Sequence, residues 1–188
     1  MIGVNIAVFE DGKVLLTRRE DFWVWCLPGG HVDPYESFAQ AAVREVREEV
    51  GLEVELTRLV GLYSRPEWSN GIYHLALFAA RPIGGSITPD PHEVVEAAYF
   101  DLDQLPAGLM IGQQQRILDA ASGVGGSLAR REVICYPPDL PIPRRELYAV
   151  RDQSGLAPAE FYARHFSVLE TTPGVIEVEG QRCDAAGE

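Results

Sequence analysis

The chain has 188 residues, 46% of them apolar, and a formal net charge of −12, which allows one domain with a buried core plus an extension. Residues 1–121 carry 9 basic and 18 acidic groups, and residues 122–188 carry 7 and 10. With no basic stripe to neutralise a long phosphate backbone or an anionic surface, double-stranded nucleic acid and membranes are excluded as expected partners.

Ile2, Val4, Ile6 and Val8 alternate with small or polar residues, the pattern of a strand. Asp11-Gly12 signals a hairpin, with Val14 to Thr17 as the return strand. Trp23, Trp25 and Leu27 alternate again before Pro28-Gly29-Gly30 breaks the chain into a loop. From Ser37 to Val50 the period turns helical: Ala39, Val43, Val46 and Val50 form one apolar stripe, and Gly51 stands where a helix C-terminal cap belongs. Strands follow at Val54 to Tyr63 and Tyr73 to Ala80, around a polar loop through Ser69-Asn70-Gly71. After a turn-rich stretch from Pro82 to Pro91 come a short strand at Ala97 to Phe100, a helical turn at Asp101 to Leu105 and a helix at Gln113 to Ala121. Ser122 to Ser127 is a plausible boundary. Beyond it, Glu146 to Arg151 is expected as a strand, Ala159 to His165 as a helical turn, and residues 181–188 as a disordered tail. Strands around one strong helix, without regular β-α alternation, indicate an α+β sandwich.

Cys26, Cys135 and Cys183 are far apart, odd in number and form no Cys-x-x-Cys pair. That argues against a disulfide framework and a zinc site, and for a reducing compartment. The first residues show no signal-peptide pattern or apolar span, so a cytoplasmic protein is expected.

The first helix has a second face. At about 100° per residue, Glu48 and Glu49 fall within about 60° of Glu45, away from the apolar stripe. Carboxylates at this spacing repel by a few tenths of a kcal/mol per pair. A hard cation such as Mg²⁺ or Mn²⁺ converts that repulsion into binding, because it prefers oxygen ligands. The competing reading is a solvated acidic face relieved by Arg44 and Arg47.

Gly30, five residues, Glu36, seven residues, then Arg44-Glu45-Val46-Arg47-Glu48-Glu49-Val50-Gly51-Leu52 reproduces the signature box of the Nudix (MutT-like) hydrolases, which the chain resembles. A chance match at these positions has a probability on the order of 10⁻⁹ per starting point. Trp25-Cys26-Leu27-Pro28-Gly29-Gly30 is similar to the usual lead-in, and Tyr99 to Pro106 to the segment after the domain's later strand. The resemblance spans roughly residues 2–121. It implies a Nudix α/β/α sandwich with a mixed sheet over residues 1–121, followed by an extension at 122–188 of unknown arrangement.

It also implies hydrolysis of a small nucleotide-like diphosphate substrate, by attack of water on phosphorus with Mg²⁺ or Mn²⁺. Glu45, Glu48 and Glu49 are the implied metal ligands together with Gly30, and Arg44 the residue that orients the glutamates. Gly29 and Gly30 let backbone approach the metal or phosphate. Glu36 either folds back towards the loop from outside the helix or acts on the helix dipole. The general base is either a helix glutamate or a loop acid, with Glu93 the candidate and Glu96 its competitor. Arg65, Trp68 and Tyr73 are candidate substrate contacts, the aromatics (with Tyr63) as base-stacking platforms or as partial core. Arg18 and Arg19 hold terminal phosphates or are simply solvated. His31, His74, His92 and His165 lack metal spacing and read as structural.

Tyr136, Leu147, Tyr148, Val150, Phe161 and Tyr162 are too apolar for a simple tail, so the extension docks on the domain, covers the site or completes a homodimer. The leading function is cleavage of a nucleoside diphosphate derivative such as a nucleotide sugar or ADP-ribose. A nucleoside triphosphate pyrophosphohydrolase is the second reading, and a non-catalytic binding module the third.

Overall fold

The computed structural model describes residues 2–66, 68, 73–126, 128–132, 134, 136–166, 175–178 and 181–182. A mixed sheet runs in the order β3 (Trp25–Cys26), β2 (Lys13–Arg19), β1 (Ile2–Glu10), β5 (Tyr73–Gly85), β4 (Leu52–Arg65), β8 (Leu128–Arg131), β9 (Val175–Val178), with β6 (Val94–Asp101) also paired to β2. β1 and β5 are parallel, as are β4 and β8, while β4 and β5 form a long antiparallel pair.

Alternation along β1 assigns the two faces of the sheet. Val4, Ile6 and Val8 pack beneath α1 (Phe38–Val50), against Ala41, Ala42, Val46 and Val50. Ala7 on the other face joins Ile117 and Ala120 of α2 (Gln113–Ala121). Two helical layers therefore sandwich the sheet. Among the described residues no helix is long and apolar enough to cross a membrane.

Helix α1 has strong local boundaries. The Ser37 side chain accepts from the Gln40 N–H while Gln40 reaches back to the Ser37 N–H, a reciprocal cap. Gly51 ends the helix at φ 75°, a left-handed conformation that suits glycine. Its rotation differs from the expected stripe: Ala39 and Val43 are exposed, and Glu45 and Glu49 share the buried side with Ala42, Val46 and Val50. The reason is that the Pro28–Gly30 loop covers that side of the helix.

Residues after 122 share the domain's sheet through β8. Glu146 to Arg151, expected as a strand, lies instead in helix α3 (Arg144–Gln153). Arg144, Tyr148 and Arg151 fall at helical spacing and all reach Asp21 in the turn after β2. With α4 (Pro158–His165), α3 builds a second core of Phe22, Val24, Leu140, Leu147, Phe161 and Phe166. Of the tail expected to be disordered, Gln181–Arg182 form β10, paired with β7 (Val124–Gly125); residues 183–188 lie outside the described residues. Trp23 does not continue a strand with Trp25, because its φ of 56° turns the chain.

Candidate active site

The Pro28–Gly30 loop lies across β1, where Ile6 N–H donates to the Pro28 carbonyl and Val4 N–H to that of Gly30, both at 2.9 Å. Glycine is required at position 29, and at position 30 it leaves room for Glu45. Gly29 has φ 149°, and a Cβ there would run into the Val4 carbonyl. A Cβ on Gly30 would lie 2.5 Å from a carboxylate oxygen of Glu45. The Gly29 N–H donates to Glu49 Oε2 at 3.1 Å.

Arg44 organises the acidic side chains. Its Nε and Nη2 donate to the two oxygens of Glu36 at 2.8 and 2.9 Å, and Nη2 also donates to the His31 carbonyl at 3.0 Å. That leaves Nη1 to donate to Glu45 Oε1 at 2.9 Å and Glu48 Oε2 at 3.0 Å. Glu36 lies outside the helix, accepts the Asp33 N–H and faces back to the loop, the first of its two expected placements. The Glu36 carboxyl is held below its ordinary range by the Arg44 hydrogen bonds.

Burial pushes the Glu49 carboxyl up to about 8, with the charges of Glu45 and Glu93 acting in the same direction. Glu45 is also raised by burial, against the pull of Arg44. Glu48 is exposed. Glu93 sits in the turn before β6, close enough to add repulsion to both Glu45 and Glu49. The 86–93 segment is held against α1 because Thr88 and Asp90 donate to the Val50 and Glu49 carbonyls, at 2.8 and 3.0 Å. Glu96 points to Arg18 instead, at 3.5 Å.

Among the described residues no three His, Cys, Asp or Glu side chains already form a metal cage. The donor set nevertheless fits a hard divalent cation. Three carboxylates from one helix offer only oxygen, two of them bear the electrostatic cost of burial, and Gly30 keeps the space beside Glu45 free of a side chain.

The other expected substrate contacts are placed differently. Arg65 is buried, its guanidinium occupied by Glu132 and by the Ile111 carbonyl, so it faces the core rather than a ligand. Trp68 packs on Tyr136 and Phe166 of the extension. Tyr73 is half-buried against the core on the α2 face, with the Arg65 guanidinium over its ring at 5.4 Å. Tyr63 is fully buried and donates to Asp119 at 2.7 Å. A cavity of about 280 Å³ lies between Arg18, Trp23, Trp25, Leu109 and Tyr162, and none of the helix glutamates lines it. Arg19 is bound to Asp21 at 2.9 and 2.5 Å, and its charge lowers the Glu49 pKa. This acidic partner two residues away was the missed local signal for Arg19.

A family model described as the NUDIX domain matches residues 1–120. The chain belongs to the Nudix family. This Nudix hydrolase is 34% identical over 118 residues to a putative 8-oxo-dGTP diphosphatase of Bacillus subtilis, covering 63% of this chain and 77% of the relative. It is 34% identical over 109 residues to an ADP-ribose pyrophosphatase of Methanocaldococcus jannaschii, covering 56% and 64%. The crystal structure of an ADP-ribose pyrophosphatase from Streptococcus suis superposes with a TM-score of 0.58 at 28% identity, covering 70% of this chain and 98% of that one. The family generally uses divalent metal ions and acts on small nucleotide-derived substrates.

Proposed function

We propose that this Nudix hydrolase cleaves the diphosphate bridge of a nucleoside diphosphate derivative, such as a nucleotide sugar or ADP-ribose, with Mg²⁺ or Mn²⁺. One observation carries the reading: Glu45 and Glu49 are turned to the covered side of α1 beneath the Pro28–Gly30 loop, whose Gly29 N–H holds Glu49, while Glu36 fixes the arginine that bonds Glu45. A fold that needed only a stable helix gains nothing from burying two carboxylates side by side.

Glu45, Glu48 and Glu49, with Gly30, would hold the cation. When bound, the cation supplies charge neutralisation of the anhydride phosphates and a lower pKa for attacking water. Arg44 fixes the Glu45 and Glu48 rotamers before substrate arrives, so their reorganisation is not charged to the reaction. Gly29 and Gly30 let phosphate oxygens approach backbone. Glu93, exposed at the edge of the cluster, accepts the proton of the attacking water. The water oxygen bonds to phosphorus, the bridging P–O bond breaks, and the bridge oxygen leaves with the second phosphate.

The relative named for 8-oxo-dGTP gives a triphosphate substrate as a second reading, at the same 34% identity as the ADP-ribose relative. A substrate panel with Mg²⁺ or Mn²⁺ and product identification separates them. Two phosphomonoesters from a dinucleotide or nucleotide sugar support the first reading; inorganic pyrophosphate from a triphosphate supports the second. Failure to cleave any member overturns both.

A further inference from the structure

The loop that covers the glutamates is tied, through one asparagine, to a buried charge network that ends outside the family match. Asn5 is a buried polar residue of β1 on the α2 face. Its Nδ2 lies 2.8 Å from the position a Cβ on Gly29 would take, so the amide faces the loop backbone directly. Its Oδ1 accepts from Arg116 Nη1 at 2.9 Å. Arg116, 1% exposed, donates through Nε and Nη2 to the two oxygens of Glu132 at 3.1 and 2.6 Å. Glu132 also takes Arg65, and its N–H donates to the Ser64 carbonyl at 2.8 Å, fixing it beside β4. A second tether runs from the same helix, where Gln113 Oε1 accepts the Leu27 N–H at 3.1 Å.

We infer that Asn5 and Arg116, held by Glu132, are positioning residues for the Gly29–Gly30 loop and through it for Glu49 and Glu45. A core that only needed filling would be served by apolar side chains here, since an ion network in low dielectric contributes little net stability over a hydrophobic replacement. What the network adds is direction. A guanidinium fork fixed on both sides by one carboxylate leaves Nη1 a single orientation, and that orientation sets the rotamer of Asn5. Because Gly29 rests on Val4 and Asn5, a change in this side chain moves the N–H that binds Glu49. Residue 132 thus gives the extension a part in the geometry of the site. This inference rests on the hydrolase reading proposed above.

The test is Asn5→Leu in the full chain, which keeps the number of side-chain heavy atoms and the branch point and removes both polar atoms. Three quantities are read: Mn²⁺ affinity by calorimetry without substrate, kcat and KM on a substrate from the panel, and thermal stability. The expected result is a roughly tenfold or greater loss of Mn²⁺ affinity and of kcat, with KM changed less than about threefold. Val60→Ala, a buried cavity variant that removes no polar atom of the network, serves as the stability control and should lose Tm while keeping both values. Folded Asn5→Leu with wild-type Mn²⁺ affinity and kcat overturns the inference, and so does an equal catalytic loss in Val60→Ala. If Asn5→Leu does not fold, Arg116→Lys, which keeps the charge but loses the fork, is read by the same criteria. If the wild type cleaves nothing in the panel, the functional reading fails while the Mn²⁺ affinities still decide the positioning role.

Discussion

Buried charge occurs on both faces of the sheet, and the two sets are built on opposite principles. On the α2 face, Arg65 and Arg116 converge on Glu132, which they hold below its ordinary pKa against the effect of burial. Two cations share one anion, so every group has a partner of opposite sign. On the α1 face, Glu45 and Glu49 are buried together with Glu93 nearby, and the Glu49 carboxyl is pushed up to about 8. Arg44 relieves Glu45 and Glu48 only in part. On the α2 face each charge is paired within the protein, whereas the acidic face is left short of positive charge, a deficit that a ligand cation would fill.

If the contrast is correct, the two sets respond differently to the same kind of change. Glu49→Gln should lower kcat on the order of 10³-fold, the largest effect expected, while raising rather than lowering stability in metal-free buffer. The sign follows from linkage. A carboxyl whose folded value is raised binds its proton more tightly when folded, so it favours folding at low pH and opposes it as pH rises from about 4 towards 8. Glutamine removes that penalty, and thermal melts at pH 8 should show a higher Tm. A lower Tm would place Glu49 among the structural charges.

Glu132→Ala should shift stability in the opposite direction. Leaving two guanidinium groups buried without their anion costs about 3–5 kcal/mol of stability, measurable by urea unfolding. Glu93→Gln sharpens the boundary of the acidic face. Glu93 is exposed, so the fold should survive while kcat falls on the order of 10²-fold; an unchanged kcat removes it from the mechanism.

The smallest expected effect concerns the extension. Burial alone would raise the Asp21 carboxyl, but the hydrogen bond and charge of Arg19, with Tyr148 and Arg144, bring it down to about 2. A lowered folded value means stability that is present above the ordinary carboxylate pKa and is lost as pH falls from about 4 to 2. The shift corresponds to roughly 2 kcal/mol. Asp21→Asn should flatten the acid limb of a stability-versus-pH curve over that window. An unaltered acid limb would show that Asp21 does not secure α3 to the domain.

The two faces were unequally legible in the sequence. Helix α1, its Ser37 start and its Gly51 stop follow from local rules, and the Gly30-to-Leu52 spacing pointed to the acidic cluster and the family together. The rotation of α1 did not follow, because Val43 looks as apolar as Val46 and only the loop packed over Glu45 and Glu49 decides which side is covered. The Arg65–Glu132–Arg116 network left no local trace: Arg65 and Glu132 are 67 positions apart and meet only through the pairing of β4 with β8. Hence Arg65 reads from sequence as a candidate substrate contact. Helix α3 was misread because Leu147, Tyr148 and Val150 suggest a strand, although Arg144, Tyr148 and Arg151 at helical spacing share one target in Asp21.

The central claim is that the α1 glutamates form a cation site rather than a tolerated flaw in the core. Titration of the metal-free protein with Mn²⁺, followed by calorimetry, tests it most directly. Saturable binding in the wild type that is lost in Glu49→Gln and weakened in Glu45→Gln is the predicted result. A wild-type protein that binds neither Mn²⁺ nor Mg²⁺, or a Glu49→Gln variant that binds as the wild type does, would contradict it.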